Sequence, residues 1–330
     1  MTIAAAFLEA CLEELAAPKP GNVHIHAPGH RMTVEDFARS AEVSAPLLCR
    51  PGAPLGRRIL DAATATRQAV GQNTNLGILL LCAPLAMAAE RHAGRRVRGA
   101  RRSPASSWPG LSGPPIAAGA GRVGPDKPGH DGEGEPGHGN EATAPRPAHA
   151  AAIHALIGAS DIADADAVFA AIRLANPAGL GSAERHDVRR SAAVTLPEAM
   201  AEAAGRDSIA RQWSNGFADI IGLGVTAYDA ARAAHADGPG ASLAVYLAFL
   251  SAFPDSHVAR KHGPAVAVEL QREAARVAAD IAGLADPLPK LLAWDTQLKS
   301  AGINPGTSAD LTVATAFAWR LGLHSTIVDG

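Results

Sequence analysis

The sequence predicts an all-α protein, and three features of its composition and patterning support that prediction. Hydrophobic residues make up 47% of the 330 residues while aromatic residues contribute only 4%, because much of the apolar share is alanine. Alanine is the best helix former, and β-branched residues, which favour strands, are sparse outside short runs. Apolar residues also recur with helical spacing, and helix start signals precede several of these segments. The chain is therefore expected to fold as a single multi-helix globular domain.

Apolar periodicity and capping signals place the individual helices. Thr33 with Asp36 is a variant capping box, and Thr195 with Glu198 is a second one that opens a long helix. Pro18 ends the first helix, because proline removes a backbone donor and fixes φ. Helices are expected at about 2–16, 33–49, 55–70, 73–89, 149–158, 161–175, 195–221, 225–236, 240–253 and 311–321.

Residues 94–148 differ in composition from the rest of the chain. They are rich in Gly, Pro, Ser and Arg and have no apolar periodicity. A segment of this kind cannot bury enough apolar surface to offset the entropy lost on ordering the chain. We therefore expect one helical catalytic domain over residues 1–330, interrupted by a disordered low-complexity insertion at 94–148.

Charge and cysteine usage exclude several classes of protein. The net charge of -2 gives no reason to expect nucleic-acid or membrane-surface binding. No apolar run reaches the roughly 18 residues of a membrane span, and the N-terminus lacks the basic start of a signal peptide. The cysteines are Cys11, Cys49 and Cys82. Their odd number and the lack of a paired spacing are typical of buried reduced thiols in a cytoplasmic protein.

The loop at 18–30 is polar and has a restricted backbone, and three other polar clusters follow it along the chain. Two prolines before Gly21 restrict the backbone, and three histidines follow: His24, His26 and His30. The alternate spacing of the first two is compatible with a metal site, yet no cysteine or carboxylate lies close in sequence to complete it. Histidines that face solvent or contact a substrate are the alternative interpretation.

The other polar clusters share a design in which a polar loop leads into a helix. The segments 71–77, 253–263 and 303–310 each combine glycine with amide, hydroxyl or charged side chains next to an apolar helix. An ordinary N-cap explains part of each cluster; Asp255 alone, or Thr307 with Asp310, would suffice. Repetition favours another interpretation, in which several phosphates converge on helix N-termini that present free backbone N–H groups.

With these clusters in view, the chain resembles the triphosphoribosyl-dephospho-CoA synthase family. The family has a KPG segment near the N-terminus, an NT-x-x-G segment before an apolar helix and an NPG-x-SAD segment near the C-terminus. Here these are residues 19–21, 73–77 and 304–310, in the same order. The resemblance covers essentially everything except 94–148, and three motifs in register are more specific than any one of them.

The resemblance implies an all-helical transferase. Members of this family move the triphosphoribosyl part of ATP to the ribose 2′-hydroxyl of 3′-dephospho-CoA and release adenine, which yields a prosthetic-group precursor. Such a reaction calls for an acid at the leaving base, a base at the hydroxyl, and Mg²⁺ on the triphosphate. ATP, as a substrate, and Mg²⁺ are therefore expected, and the expected partners are small-molecule substrates, with no nucleic acid and no membrane.

The clusters and the resemblance together assign candidate residues. Asp310 and Asp255 are candidates for metal binding or for the base, and His30 is a further catalytic candidate. The candidates for contacts with phosphate, ribose or the rest of the substrates are Lys19, Gly21, Asn73, Thr74, Gly77, Arg260, Lys261, Asn304, Gly306 and Ser308.

Two departures from the family pattern keep alternatives open. The better-known members have His-Lys where this chain has Asn75-Leu76, and Asp where it has His24. Loss of a lysine removes a positive charge from a phosphate-binding segment, and histidine in place of a carboxylate changes metal preference. The alternatives are a related nucleotide-dependent enzyme with a different acceptor, a hydrolase of a phosphorylated substrate, and a non-catalytic helical scaffold.

Overall fold

The computed structural model describes residues 1–29, 32–100, 147–177 and 185–323, and this part of the chain confirms the all-α prediction. Only two isolated backbone bridges, both in the loop after α1, interrupt the helical pattern there. The helices are α1 (Ile3–Ala16), α2 (Val34–Leu48), α3 (Leu55–Val70), α4 (Leu76–Ala100), α5 (Pro147–Gly158), α6 (Ile162–Ala175), α7 (Leu196–Ala203), α8 (Ser208–Asn215), α9 (Val225–Ala233), α10 (Gly238–Ala252), α11 (Ser256–His262), α12 (Pro264–Ile281), α13 (Leu288–Ser300) and α14 (Gly306–Arg320), with a π-helix at Ile220–Gly224.

Helix α14 lies at the centre of the fold and packs against α1, α4, α9, α10, α11 and the π-helix. Its side chains are buried on every face from Leu311 to Ala318. The hydroxyls of Thr312 and Thr315 donate to the carbonyls four residues earlier, at 2.8 and 2.9 Å, so these polar groups are satisfied without water. A helix that is apolar all round is expected only in a core, and α14 fits that rule.

A smaller apolar cluster joins the second half of the chain. Residues of α10, α11, α12 and α13 pack together around the buried side chains of Tyr246, Leu270 and Trp294. The sequence interpretation assigned no helices to 264–300, where α12 and α13 lie. These two helices matter for the site because α13 supports the loop that follows α1.

Most predicted boundaries agree with the structure within two or three residues, including α1, α2, α3, α6 and α10. The capping box of α2 is confirmed, since Thr33 and Asp36 bond each other's backbone N–H groups. At α7, Glu198 accepts hydrogen bonds from the backbone N–H and the hydroxyl of Thr195, both at 2.8 Å.

The long helix expected over 195–221 is wrong, because the chain breaks it twice. α7 ends at Ala203, and Asp207 then caps a separate helix, α8, by accepting hydrogen bonds from two backbone N–H groups. Gly216, with φ +67°, ends α8 in the left-handed conformation that glycine adopts without strain.

Two further boundaries differ from expectation. α14 begins at Gly306 instead of 311, so Thr307 lies inside the helix and is not its N-cap. The expected disordered insertion at 94–148 overlaps α4, which continues to Ala100, and α5, which begins at Pro147. Its remaining residues, 101–146, lie outside the described part of the chain. No helix among the described residues combines the length and the apolar character that crossing a membrane requires.

Candidate active site

The first turns of α14 are where the predicted clusters meet. Because α14 begins at Gly306, Ser308 and Asp310 lie near its N-terminus, where backbone N–H groups have no partner within the helix. Pro305 precedes the helix and gives no side-chain cap. Residues from distant parts of the chain therefore support this helix end.

The loop after α1 packs directly on the turn before α14. Gly21 has φ +82°, and a Cβ there would lie 2.9 Å from Pro305 Cδ and 3.1 Å from the carbonyl oxygen of Ile303. The neighbouring Asn22 donates its side-chain amide to Asn304 Oδ1 at 2.8 Å. Glycine is required at position 21 by both its backbone conformation and the available space. The KPG and NPG segments thus form one packed unit.

Lys19 lies in the interior of this unit. Its ammonium donates to the carbonyl oxygens of Glu14 at 2.8 Å and Val23 at 2.7 Å, and it lies 3.1 Å from Glu14 Oε1. Burial lowers the pKa of Lys19, and the adjacent Glu14 carboxylate opposes that shift. An ammonium has three donors, and all three are engaged here. In this position Lys19 holds the loop together and has no donor left for a phosphate.

Gly77 brings the second cluster into contact with Asp310. Gly77 is the second residue of α4, and a Cβ at that position would overlap Asp310 Oδ2 and lie 2.5 Å from Asp310 Cγ. The same Cβ would lie 2.8 Å from Ile209 Cδ1 in the first turn of α8. Only glycine leaves room for the Asp310 carboxylate against the start of α4, with α8 on another side.

Asn73 caps α4 on the side of this contact. Its Oδ1 accepts the backbone N–H of Leu76 at 3.2 Å. The backbone N–H groups of Gly77 and Ile78 have no acceptor among the described residues. These two N–H groups lie at a helix start beside the Asp310 carboxylate, and they are donors that an anionic or polar ligand could use.

Thr74 and the two residues that depart from the family pattern face the protein interior. The Thr74 hydroxyl lies 2.6 Å from the Ser40 hydroxyl, and Asn75 donates to Ser44 Oγ at 3.4 Å. Leu76 is 7% exposed and belongs to the main core. These side chains anchor α4 to α2, and the hydroxyl of Thr74 is engaged by Ser40.

Asp255 connects α11 to α14 through both of its carboxylate oxygens. Oδ1 accepts the backbone N–H groups of His257 at 2.9 Å and Val258 at 3.1 Å. Oδ2 accepts from Ser308, from its N–H at 2.8 Å and its hydroxyl at 2.9 Å. Burial raises the pKa of Asp255, while the hydrogen bonds from Ser308 and Val258 oppose the shift. With four donors in place, this carboxylate has no free position for a metal ion.

Arg260 faces the start of α8 across the same region. Its Nη1 lies 2.5 Å from Asp207 Oδ2, and the two side chains are 24% and 25% exposed. Its Nε is buried and has no hydrogen-bond partner among the described residues. The next residue, Lys261, is more exposed and donates to the carbonyl oxygen of Gly302 at 3.3 Å.

Asp310 differs from Asp255 because no donor reaches its carboxylate among the residues the structure describes. The residue is only partly buried. Desolvation raises the pKa of Asp310 well above its ordinary range, the charges of Glu14 and Asp255 raise it further, and Arg260 acts in the opposite direction. The carboxylate is therefore open to a ligand and shifted towards its protonated form.

The histidines of the first loop do not form a metal site in the described part of the chain, where no three His, Cys, Asp or Glu side chains are placed to share an ion. His24 is buried beside Asp295, with Nε2 at 3.4 Å from Oδ1, and burial lowers the pKa of His24. His26 lies next to it, with ring centroids 5.7 Å apart. His30, a predicted catalytic residue, lies outside the described residues.

Magnesium fits these residues only in part. Of the two carboxylates expected to bind it, Asp255 is fully occupied by hydrogen bonds and only Asp310 has free oxygens. One carboxylate is the minimum for a Mg²⁺ ion that takes its other ligands from water and substrate phosphates. No group of three ligating side chains is present among the described residues, and Asp310 is the carboxylate that could hold a substrate-bound Mg²⁺ there.

Two carboxylates that support the site were not identified from sequence. Asp295 on α13 accepts the Gly21 N–H at 2.8 Å and pairs with Lys299 at 2.9 Å, which fixes the first loop. Asp207 caps α8 and pairs with Arg260. The capping role of Asp207 had a signal, since an aspartate soon after a glycine is typical of a new helix. Asp295 had none, because it looks like any polar residue on a helix face.

Comparisons with known proteins identify the family and the fold of this chain. The family model described as ATP:dephospho-CoA triphosphoribosyl transferase matches residues 1–107 and 111–327. A crystal structure from Archaeoglobus fulgidus, provisionally named a triphosphoribosyl-dephospho-CoA synthase, matches with a TM-score of 0.53 and 20% identity. The match covers 84% of this chain and 95% of that one, and it shows a shared fold. No protein of curated function matches. Because the family model spans nearly the whole sequence, this chain belongs to the ATP:dephospho-CoA triphosphoribosyl transferase family and is a synthase-like transferase of that family.

Proposed function

We propose that this protein transfers the triphosphoribosyl group of ATP to the ribose 2′-hydroxyl of 3′-dephospho-CoA and releases adenine. Family membership supports the reaction type. The observation that carries the proposal is the contact between Gly77 and Asp310, which joins the starts of α4 and α14 around an open carboxylate. The first turn of α8 closes the same region through Ile209.

The triphosphate is proposed to bind where these helices begin. Aligned peptide dipoles make a helix N-terminus favourable for anions. The N–H groups of Gly77 and Ile78, which have no acceptor among the described residues, supply donors. Arg260 adds a cation with donors to spare, and Lys261 adds a second cation nearby on the surface. Lys19 contributes indirectly, because its buried ammonium holds the loop that packs on the start of α14.

Asp310 is proposed to act at the reacting centre as the proton acceptor. In the transfer, the bond from ribose C1′ to adenine N9 breaks and the acceptor 2′-oxygen bonds to C1′. The hydroxyl proton passes to Asp310, and adenine leaves with a proton taken from solvent or a nearby acid. The Asp310 carboxylate accepts no hydrogen bond from the described residues and is available for this role. Burial raises the pKa of Asp310, which makes its ionised form a stronger base. Asp255 is assigned the task of holding Ser308, and with it the start of α14, in place.

Release of adenine from ATP tests this proposal. We expect chromatography to detect adenine when ATP and 3′-dephospho-CoA are both present, together with a product whose mass equals the acceptor plus triphosphoribose. An Asp310→Asn preparation purified in parallel controls for contaminating activities. If the folded protein releases no adenine with any acceptor, the transferase proposal is wrong for this chain.

A different acceptor is the second candidate, and one observation favours it. Asn75 and Leu76 stand where better-known members have His-Lys, so this chain lacks one cation in the segment that begins α4. A site with one fewer positive charge suits an acceptor with fewer phosphate charges. Adenine formed only with an alternative hydroxyl acceptor would favour this candidate, whereas adenine formed from ATP and water alone would indicate a hydrolase.

A further inference from the structure

The ion pair between Arg260 and Asp207 has an arrangement that the proposed reaction does not by itself explain. Both side chains lie at the rim of the candidate site and are about one quarter exposed. α8 and α11 are further joined there by Ser208, whose backbone N–H donates to Ser256 Oγ at 2.8 Å. The cation assigned to phosphate binding is therefore already paired with a carboxylate.

The two oxygens of Asp207 have separate tasks. Oδ1 accepts the backbone N–H groups of Ile209 at 2.9 Å and Ala210 at 3.1 Å and so caps α8. Oδ2 is the oxygen that faces Arg260 at 2.5 Å. Capping needs only a hydrogen-bond acceptor, which serine, threonine and asparagine also provide. The negative charge is thus not required for the helix, and it acts on Arg260.

We propose that Asp207 is an internal competitor for Arg260, which a polyphosphate displaces when it binds. This inference rests on the proposed binding of the triphosphate at this rim. Arg260 has five N–H donors, of which one contacts Asp207, and its buried Nε has no partner in the part of the chain that the structure describes. The guanidinium can therefore form a bidentate pair with a phosphate. A polyphosphate carries more charge than one carboxylate and also reaches the helix starts, so it wins the competition.

The competition has a measurable consequence. A substrate must break the Arg260–Asp207 pair before it can use the cation, and it must also approach the Asp207 charge. Removal of the charge alone should therefore tighten polyphosphate binding, although most substitutions of polar residues at a binding site weaken it. Exposed ion pairs of this kind are weak, so we expect a gain of up to about fivefold in affinity.

Inorganic tripolyphosphate is the probe, with binding measured by calorimetry on the full-length protein. We expect Asp207→Asn to bind it about twofold to fivefold more tightly than the wild type, with an unchanged melting temperature because asparagine still caps α8. Arg260→Gln should bind it more weakly. In the double variant the gain from Asp207→Asn should disappear, since Asp207 acts through Arg260.

Asp237→Asn is the matched control. Asp237 caps α10 by accepting the Gly240 N–H at 2.8 Å, is exposed and has no part in the site, so it should not alter tripolyphosphate affinity. Asp207→Ser, which also preserves a cap, replaces Asp207→Asn if the latter fails to fold.

Each outcome bears on the proposal. Equal or weaker binding by folded Asp207→Asn, or a gain that persists in the double variant, would overturn it. Absence of tripolyphosphate binding in all variants, with adenine release intact, would overturn it while leaving the transferase function standing. If the variants bind tripolyphosphate as expected but the protein releases no adenine, the competition is supported and the proposed transferase reaction is wrong.

Discussion

Replacement of Gly77 by alanine tests whether the position of the Asp310 carboxylate controls catalysis. The added methyl group would overlap Asp310 Oδ2 and lie 2.5 Å from Cγ, whereas ordinary contacts of a Cβ begin at 3.4 Å. Asp310 Cγ must therefore move by about 0.9 Å, or its side chain must rotate. A misplacement of about 1 Å at a reacting group can cost on the order of 10²-fold in rate. We expect a loss of that size in adenine release.

The stability of the same variant should change little. Alanine is favoured over glycine within a helix by up to about 1 kcal/mol, and this gain offsets part of the strain that the methyl group introduces near Asp310 and Ile209. The melting temperature is expected to stay within about 4 °C of the wild-type value. Adenine release should thus fall while the melting temperature stays nearly constant. A misfolded protein would lose both.

Gly158→Ala is the matched control, because Gly158 ends α5 and a Cβ there would have no atom within 4 Å. It should retain full adenine release. If Gly77→Ala folds with a normal melting temperature and keeps its turnover, the carboxylate position is unimportant and Asp310 is not the reacting base.

Four further outcomes are expected. Asp310→Asn should keep its melting temperature, because no donor among the described residues depends on the charge of Asp310. It should lose on the order of 10²-fold in adenine release. Unchanged turnover would show that Asp310 has no catalytic role. Asp255→Asn should instead lose about 2 kcal/mol of unfolding free energy in urea, since an amide nitrogen would face two donors on Ser308; wild-type stability would contradict this. Because burial lowers the pKa of His24, the unfolded chain binds a proton first as the pH falls below 6.5, and the stability present above that pH is lost on acidification. The melting temperature of His24→Gln should therefore fall less between pH 7 and pH 5 than that of the wild type. Parallel curves of melting temperature against pH would argue against this role of His24. Deletion of 104–143, replaced by a Gly/Ser linker, should leave melting temperature and adenine release nearly unchanged, and loss of folding would show that these residues are structural.

The fold class and most helices could be predicted because they depend on local information. Alanine content, apolar spacing and capping residues act within one or two turns of the chain, and they correctly placed α1, α2, α3 and α6. The same local rules failed at 195–221, where Asp207 begins α8 and Gly216 ends it inside a continuous apolar pattern. Apolar periodicity alone does not detect such interruptions; each possible capping residue inside the pattern must also be considered.

The sequence alone also determined which segments belong together, through three polar clusters and their resemblance to one family. It did not distinguish Asp255 from Asp310, since both looked like aspartates near a helix start. Tertiary structure made one a fully hydrogen-bonded clamp on Ser308 and the other an open carboxylate against Gly77. It also buried Lys19, a residue that sequence assigned to phosphate, and brought Asp295 to the Gly21 loop from 274 positions away. The physical reason is that the number of donors around a side chain, and its distance from solvent, are set by residues remote in sequence, which no local pattern records.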